Sequence, residues 1–118
     1  MRKIVLAGKD WQARALLRAQ LLEEGLAVEA HESADSALRA IEGSETQPSL
    51  ILADLSASDD PSGEIELLTC WVARVPTWVI ASRHLAANQS LENRGFELVL
   101  IRPVDVGGLV EKIKQRLG

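Results

Sequence analysis

Five short apolar runs, separated by longer segments with helical spacing, constrain the fold of this chain more than any other feature. The runs predict strands over residues 3–7, 26–30, 49–54, 77–81 and 96–101. The intervening segments predict helices over residues 11–24, 34–42, 64–75, 83–94 and 106–117. Regular alternation of this kind is typical of a parallel sheet with helices on both faces. We therefore expect an α/β protein with a doubly wound, five-stranded, flavodoxin-like parallel sheet of strand order 2-1-3-4-5.

Polar residues that precede three of the helices predict where those helices begin. Asp10, Ser33 and Asp105 each stand where a side chain can accept a hydrogen bond from the first helical turn. Gly25 and Gly43 are expected to end the first two helices.

Length, charge and cysteine content narrow the class of protein. A chain of 118 residues predicts one domain over 1–118, and its net charge of −4 argues against nucleic-acid binding. Because Cys70 is the only cysteine, an internal disulfide or a cysteine zinc cluster is excluded, and a reduced, cytoplasmic setting is expected. The apolar run 4–7 is too short for a signal sequence or a membrane span.

In an open parallel sheet the functional crevice lies beyond the carboxyl ends of the strands, at the point where the winding reverses. Asp54 follows the third strand at that point and is the candidate functional carboxylate. The residues predicted to line the crevice around it are Gly8, Lys9, Asp10, Ala81, Ser82, Arg102 and Pro103.

Taken together, these positions resemble the receiver domain of bacterial two-component response regulators. The strongest matches are "LILADL", which places Asp54 at the phosphoacceptor position, and "LIRPVD", where Arg102-Pro103 stands for the family's Lys-Pro. The resemblance covers the whole chain and implies a signalling protein rather than an enzyme. It also implies phosphoryl transfer from a histidine kinase to Asp54, with a divalent cation, usually magnesium, held by two acids, the aspartate and a backbone carbonyl.

The chain departs from the family's pattern at most of the functional positions. The two acids fall on Gly8 and Lys9, and Asp10 comes one place late. The hydroxyl position at the end of the fourth strand falls on Ala81, with Ser82 adjacent, and Val99 stands where the family has an aromatic residue on strand 5. The lysine is replaced by Arg102, and the loop after Asp54 is one residue longer.

These departures change the charge of the predicted site. Asp54, Lys9 and Arg102 together leave one net positive charge, which Asp10 would cancel, so little attraction for a magnesium ion remains. We therefore expect no metal or other cofactor, and an ion pair that joins Asp54 to Lys9, Arg102 or both. The favoured function is a degenerate receiver that acts as a protein-interaction module with impaired phosphorylation.

Two alternatives stay open at this stage. One is a working receiver that binds magnesium and is phosphorylated on Asp54. The other is a flavodoxin-like enzyme or ligand-binding domain, although no nucleophile–base pair supports it. A P-loop is rejected because "GKD" lacks the earlier glycine and the Ser/Thr of that motif.

By the family resemblance, partners such as a histidine kinase or an output domain would bind the face made by helix 4, strand 5 and helix 5. A homodimer is also open, whereas nucleic acid and membrane are not expected as partners of this domain. The residues predicted on that face are Arg94, Glu97, Glu111, Lys112 and Gln115.

Several other polar residues have plainer interpretations. Asp10 is more typical of a helix cap than of a ligand, and Lys9, Asp59 and Asp60 are typical of solvated loops. The two histidines, His31 and His84, are expected on the surface. Cys70 and Trp78, which lies on strand 4, are expected to pack in the interior.

Overall fold

A computed structural model describes residues 2–118 as a five-stranded sheet flanked by five helices. The strands are β1 (Lys3–Gly8), β2 (Ala27–His31), β3 (Leu50–Asp54), β4 (Thr77–Ala81) and β5 (Leu98–Ile101). The helices are α1 (Trp11–Glu23), α2 (Ala34–Glu42), α3 (Pro61–Thr69), α4 (Arg83–Asn88) and α5 (Val106–Leu117). Every neighbouring pair of strands is parallel and the order is β2-β1-β3-β4-β5, which confirms the predicted fold class.

The sheet separates two apolar layers, as its alternating side chains require. Val5 and Ala7 of β1 point into the layer formed with α2, α3 and α4. Ile4 and Leu6 point into the opposite layer, which contains α1 and α5. Both faces of the central strands are therefore buried, and this explains why those strands read as nearly unbroken apolar runs.

Three predicted helix starts are confirmed by side-chain caps. The Asp10 carboxylate accepts hydrogen bonds from the backbone N–H groups of Gln12 and Ala13 at 3.1 and 3.2 Å. Ser33 accepts from Ser36 at 3.2 Å, and Asp105 accepts from Gly108 at 2.8 Å. These caps satisfy amide groups that have no partner within their own helices.

Two helix predictions were wrong in extent. The segment 64–75 continues its apolar pattern, but α3 begins at Pro61 and ends at Thr69, and the chain then turns. Trp71 and Val75 are buried from that turn, so their apolar character comes from packing rather than from helical periodicity. The segment 83–94 is divided because Ser90 takes a left-handed conformation, with φ of 52°, between α4 and a short 3-10 turn.

Two assignments of single side chains were also wrong. Cys70 is exposed and the adjacent Trp71 takes the buried position. His31 is largely buried rather than on the surface, with a side chain 19% exposed. His84 is exposed and Trp78 is in the core, as predicted. Within the part of the chain that the structure describes, no helix has the length and apolar character needed to cross a membrane.

Candidate functional site

Asp54 is the last residue of β3 and lies between the ends of β1 and β4. It is in register with Gly8 on one side and with Ile80 on the other. The approach of β1 is close, since a Cβ atom added to Gly8 would lie 3.3 Å from the Asp54 Cβ atom. The carboxylate therefore stands at the switch point of the sheet, where the strand order locates a functional crevice.

The Asp54 carboxylate is bound by a partner on each of its oxygens. Oδ2 accepts a hydrogen bond from the Nη2 of Arg102, and the two side chains form an ion pair. Oδ1 accepts from the Ser56 backbone N–H at 3.0 Å. The Nε of Arg102 also donates to the Ser56 hydroxyl, so the guanidinium joins the end of β3 to the loop that follows it.

Solvent reaches this arrangement only in part. The Asp54 side chain is 19% exposed and the Arg102 side chain is 38% exposed. Arginine suits this position because its planar guanidinium can donate hydrogen bonds to Asp54 and Ser56 at the same time. A lysine ammonium has no such fixed geometry. Ser56 was not predicted as a site residue, and only its place two residues after Asp54 signals the role.

Lys9 does not contact Asp54, although the charge pattern made it an equal candidate for that ion pair. Its ammonium pairs instead with Asp59 in the loop after β3. Lys9 and Asp59 are 52% and 80% exposed, so this is a surface contact. Asp60 is exposed in the loop, as predicted, and it also caps α3 by accepting from the Gly63 N–H at 3.1 Å.

A small cavity of about 30 Å³ lies beside Asp54, between the end of β1 and the first turns of α1. Asp10 and Arg14 line it, and the Arg14 guanidinium donates to the Gly8 carbonyl oxygen. Arg14 was missed from the sequence because a helical arginine four residues after a cap is usually a solvated residue. The cavity is large enough for a water molecule.

The residues around Asp54 do not fit the magnesium ion that the family resemblance implies. Gly8 contributes no carboxylate, Lys9 pairs with Asp59, and Asp10, which lines the cavity beside Asp54, caps α1 through its Oδ1 atom. Two guanidinium groups, those of Arg14 and Arg102, approach the space that such an ion would share with Asp54. Among residues 2–118, no group of three or more His, Cys, Asp and Glu side chains is arranged to hold a metal ion.

Neither of the two predicted positions at the end of β4 has a hydroxyl that bonds to Asp54. Ala81 is fully buried and has only a methyl group. The neighbouring Ser82 carries a hydroxyl, but that oxygen accepts from the Leu85 N–H at 3.0 Å and caps α4. Pro103 follows Arg102 as an exposed residue at the carboxyl end of β5.

Two residues of the predicted partner face are hydrogen-bonded to other parts of the chain. Glu97 accepts from both Arg116 and the Trp78 indole, and Arg94 bonds to Gln89 and Glu66. The Arg116 guanidinium is the main reason that the pKa of Glu97 lies below its usual range; partial burial opposes it and the Trp78 N–H adds to it. The exposed residues that remain are Glu111, Lys112 and Gln115.

Neither a protein-family model nor a curated protein sequence matches the chain. Solved structures do match it. A CheY-like response regulator receiver domain protein from Methanospirillum hungatei is 26% identical, with a TM-score of 0.82 over 99% of this chain and 94% of that one. A response regulator receiver protein from Burkholderia phymatum is 18% identical, with a TM-score of 0.79 over 100% and 96% of the two chains.

The receiver domain of HemR from Leptospira biflexa, in its non-phosphorylated form, gives a similar result. It is 14% identical, with a TM-score of 0.80 over 100% of this chain and 95% of that chain. The three comparisons cover nearly all of each chain, so the likeness extends over the whole fold. The chain therefore has the fold of the response regulator receiver domain.

Proposed function

We propose that this chain is a degenerate receiver that acts in two-component signalling as a protein-interaction module, with impaired phosphorylation at Asp54. The receiver fold supports a role in two-component signalling. The observation that carries the finer proposal is the guanidinium of Arg102 on the Asp54 carboxylate, where a phosphoryl group would otherwise be added.

Phosphoryl transfer requires a positioned acceptor oxygen and positive charge around the equatorial oxygens of the transferred group. Arg102 supplies charge, but it also occupies one acceptor oxygen, while the Ser56 N–H occupies the other. Without the carboxylates that hold the divalent ion in the family, no ion orients the incoming phosphoryl group. We therefore expect slow or absent magnesium-dependent phosphorylation.

The conformational coupling between the phosphorylation site and a partner face is also weakened. The methyl side chain of Ala81 cannot form a hydrogen bond with a phosphoryl oxygen, and Val99 replaces the aromatic side chain of the family pattern. Arg102 already ties β5 to the loop after β3. These contacts support a domain that stays in one conformation, so that partner binding depends on a fixed surface rather than on phosphate.

The partners expected are a histidine kinase or an output domain, bound at the surface formed by α4, β5 and α5. Glu111, Lys112 and Gln115 of α5 are exposed there and give it mixed charge. Receiver domains interact with proteins of both kinds, which supports this assignment of partner class.

The direct test is incubation with acetyl phosphate and Mg²⁺, followed by intact mass measurement. We expect at most a small fraction of the wild-type protein to gain phosphate, and Asp54→Ala to remove that fraction. Stoichiometric addition that Asp54→Ala abolishes would contradict the proposal and favour the working receiver. Amide NMR spectra with and without beryllofluoride and Mg²⁺ test the fixed conformation, and we expect the α5 resonances to stay unchanged.

A further inference from the structure

A groove of about 510 Å³ lies between α2 and α3, at the same edge of the sheet as Asp54. Residues that follow β1, β2 and β3 line it, together with the first turns of α2 and α3. We call it the α2–α3 groove. Its volume is within the range of about 300–1,000 Å³ that is typical of ligand-binding clefts, and it is much larger than the cavity beside Asp54.

Leu67 gives the α2–α3 groove an apolar side chain that is open to solvent. It is 40% exposed and is one of four large apolar residues exposed to this degree in the described part of the chain. Gly63, four residues earlier on the same face of α3, leaves the groove open, and a Cβ atom there would collide with the Asp60 carboxylate. An occupant of the groove can therefore bury apolar surface against Leu67.

The α2–α3 groove also contains the whole negative charge of the chain. One lysine and five acids line it, which gives the groove a net charge of −4, equal to that of the complete sequence. The rest of the chain has equal numbers of basic and acidic residues. The charged residues of the groove are Lys9, Glu32, Asp35, Asp59, Asp60 and Glu64.

Contacts within the chain cancel only part of this charge. Asp35 pairs with Arg39, whereas Asp60 and Glu64 accept from backbone N–H groups, which are neutral. Arg39 and the positive ends of α2 and α3, each equivalent to about half a unit charge, together offset about two negative charges. About two therefore remain, and Glu32 is exposed with no ion pair among residues 2–118.

We propose that the α2–α3 groove binds a basic segment of a partner protein, in which lysine or arginine side chains flank an apolar residue. The apolar residue would pack on Leu67, and the basic groups would pair with Glu32 and Asp60. The same charge would repel nucleic acid and anionic membranes. A metal ion does not fit, because no three His, Cys, Asp or Glu side chains among residues 2–118 converge to hold one.

This groove would be a second contact surface, separate from the one proposed on α4, β5 and α5. It lies on the β2 side of Asp54, whereas β5 forms the opposite edge of the sheet. We therefore expect the two surfaces to bind different partners at the same time. Binding in the groove does not depend on phosphorylation of Asp54, so it can be tested whether or not that residue accepts phosphate.

NMR titration of the isotope-labelled protein with a synthetic peptide tests the proposal. The probe is the acetylated and amidated peptide RKLKR. We expect it to bind in the micromolar-to-millimolar range and to shift the amide resonances of residues 32–35, 58–64 and 67. The peptide RKGKR, which lacks the apolar side chain, should bind at least about threefold more weakly, and EELEE should not bind.

Two pairs of matched variants test the charge of the groove. Glu32→Gln should weaken RKLKR binding by roughly threefold, whereas Glu42→Gln, an exposed acid at the other end of α2, should leave it unchanged. Lys9→Leu should strengthen binding by roughly twofold to fivefold, because it removes the basic residue from the groove and releases Asp59. Lys112→Leu makes the same change of net charge on α5 and should have no effect.

Leu67→Ser tests the apolar contact. It should weaken binding of RKLKR by at least about threefold and leave binding of RKGKR unchanged, because only the first peptide packs on Leu67. Equal effects of Glu32→Gln and Glu42→Gln, or resonance shifts spread over all acidic surfaces, would overturn the proposal. Binding of arginine amide in the groove as tightly as RKLKR would overturn it in favour of a small cation.

Discussion

The Arg102 guanidinium is hydrogen-bonded to the Asp54 carboxylate and, through its Nε atom, to the hydroxyl of Ser56. Asp54 ends β3 and Arg102 follows β5, so the contact passes across the end of β4, which lies between them. The Arg102 side chain therefore joins the end of β5 to the end of β3 and to the loop after it, at the sheet edge where a receiver would be phosphorylated. Its strength can be measured apart from any activity.

A double-mutant cycle on this pair should give a favourable coupling energy. Because both side chains are partly shielded from water, we expect Arg102→Leu and Asp54→Asn each to lower the free energy of unfolding by about 1 kcal/mol. The double variant should lose less than the sum of the two, by about 0.5–1 kcal/mol. Urea unfolding followed by tryptophan fluorescence measures all four proteins.

The Lys9–Asp59 pair provides the control for that cycle. Both of its side chains are more exposed than those of the Arg102–Asp54 pair. The same cycle with Lys9→Leu and Asp59→Asn should therefore give a coupling close to zero. Equal coupling energies in the two cycles would mean that Arg102 does not hold Asp54 more firmly than a surface contact would.

A second prediction concerns the metal. The variant Lys9→Asp/Arg102→Lys adds a carboxylate beside Asp10 and replaces the guanidinium on Asp54 with a single ammonium group. Because Mg²⁺ prefers carboxylate oxygens, we expect it to bind this variant at least about tenfold more tightly than the wild-type protein, a change of ~1.4 kcal/mol. NMR titration with MgCl₂ measures the two affinities.

The same substitutions in an Asp54→Ala protein are the control, and the gain in affinity should disappear there. Tight Mg²⁺ binding by the wild-type protein would contradict the argument that two guanidinium groups replace the ion. This experiment leaves Gly8 unchanged, because a side chain there would press against the Asp54 Cβ atom at 3.3 Å.

The strands and helix starts followed from the sequence because they depend on local patterns, and the strand order followed from the rules for connecting alternating strands and helices. Buried strands need apolar residues on both faces, and helices begin at residues such as Asp10 and Ser33 that cap them. Helix ends were less predictable. Trp71 and Val75 continue the apolar pattern of α3 from a turn, and Ser90 stops α4 in a conformation that serine seldom adopts.

The members of the candidate site were predictable, whereas their pairing was not. Strand order alone brings Asp54 and Arg102 to one edge of the sheet. Whether Lys9 pairs with Asp54 or with Asp59 depends instead on the course of the loop after β3 and on side-chain rotamers. Neither leaves a periodic pattern in the sequence from which it could be predicted. The same reason explains why Ser56 and Arg14 were missed.

A third prediction concerns Glu64, which joins α3 to the start of α2. Its carboxylate accepts from the Ala34 N–H at 2.6 Å and from the Ser58 hydroxyl. Glu64→Ala leaves the Ala34 amide without its partner, and we expect the free energy of unfolding to fall by about 1–2 kcal/mol. Thermal and urea unfolding measure the change.

Glu66 is the matched control on the same helix. It pairs with Arg94 at 3.3 Å and its side chain is 73% exposed. Glu66→Ala should therefore change the free energy of unfolding by less than about 0.5 kcal/mol. If the two alanine variants were equally stable, the bond from Glu64 to α2 would have no structural role.

The last prediction concerns acid stability through Glu97. Arg116 is the main cause that lowers the pKa of Glu97 below its usual value of 4.5, with a smaller contribution from the Trp78 N–H. A carboxyl whose pKa is lower in the folded state stabilises that state above its unfolded pKa, and the stabilisation is lost as pH falls through the folded pKa. We therefore expect the wild-type protein to lose stability as pH falls from about 5 through the lowered pKa of Glu97, and Glu97→Gln to lose less over the same range.

Urea unfolding of both proteins at pH 7 and at successive lower values measures the difference. At pH 7 the wild-type protein should be the more stable, because Arg116 donates to both Glu97 oxygens at 2.8 and 2.9 Å. The neutral amide of Glu97→Gln would form weaker hydrogen bonds with the Arg116 guanidinium. Asp35→Asn is the control, since Asp35 forms an exposed pair with Arg39 and should leave the pH dependence unchanged. Parallel pH curves for the wild-type protein and Glu97→Gln would contradict the assignment of this acid sensitivity to Glu97.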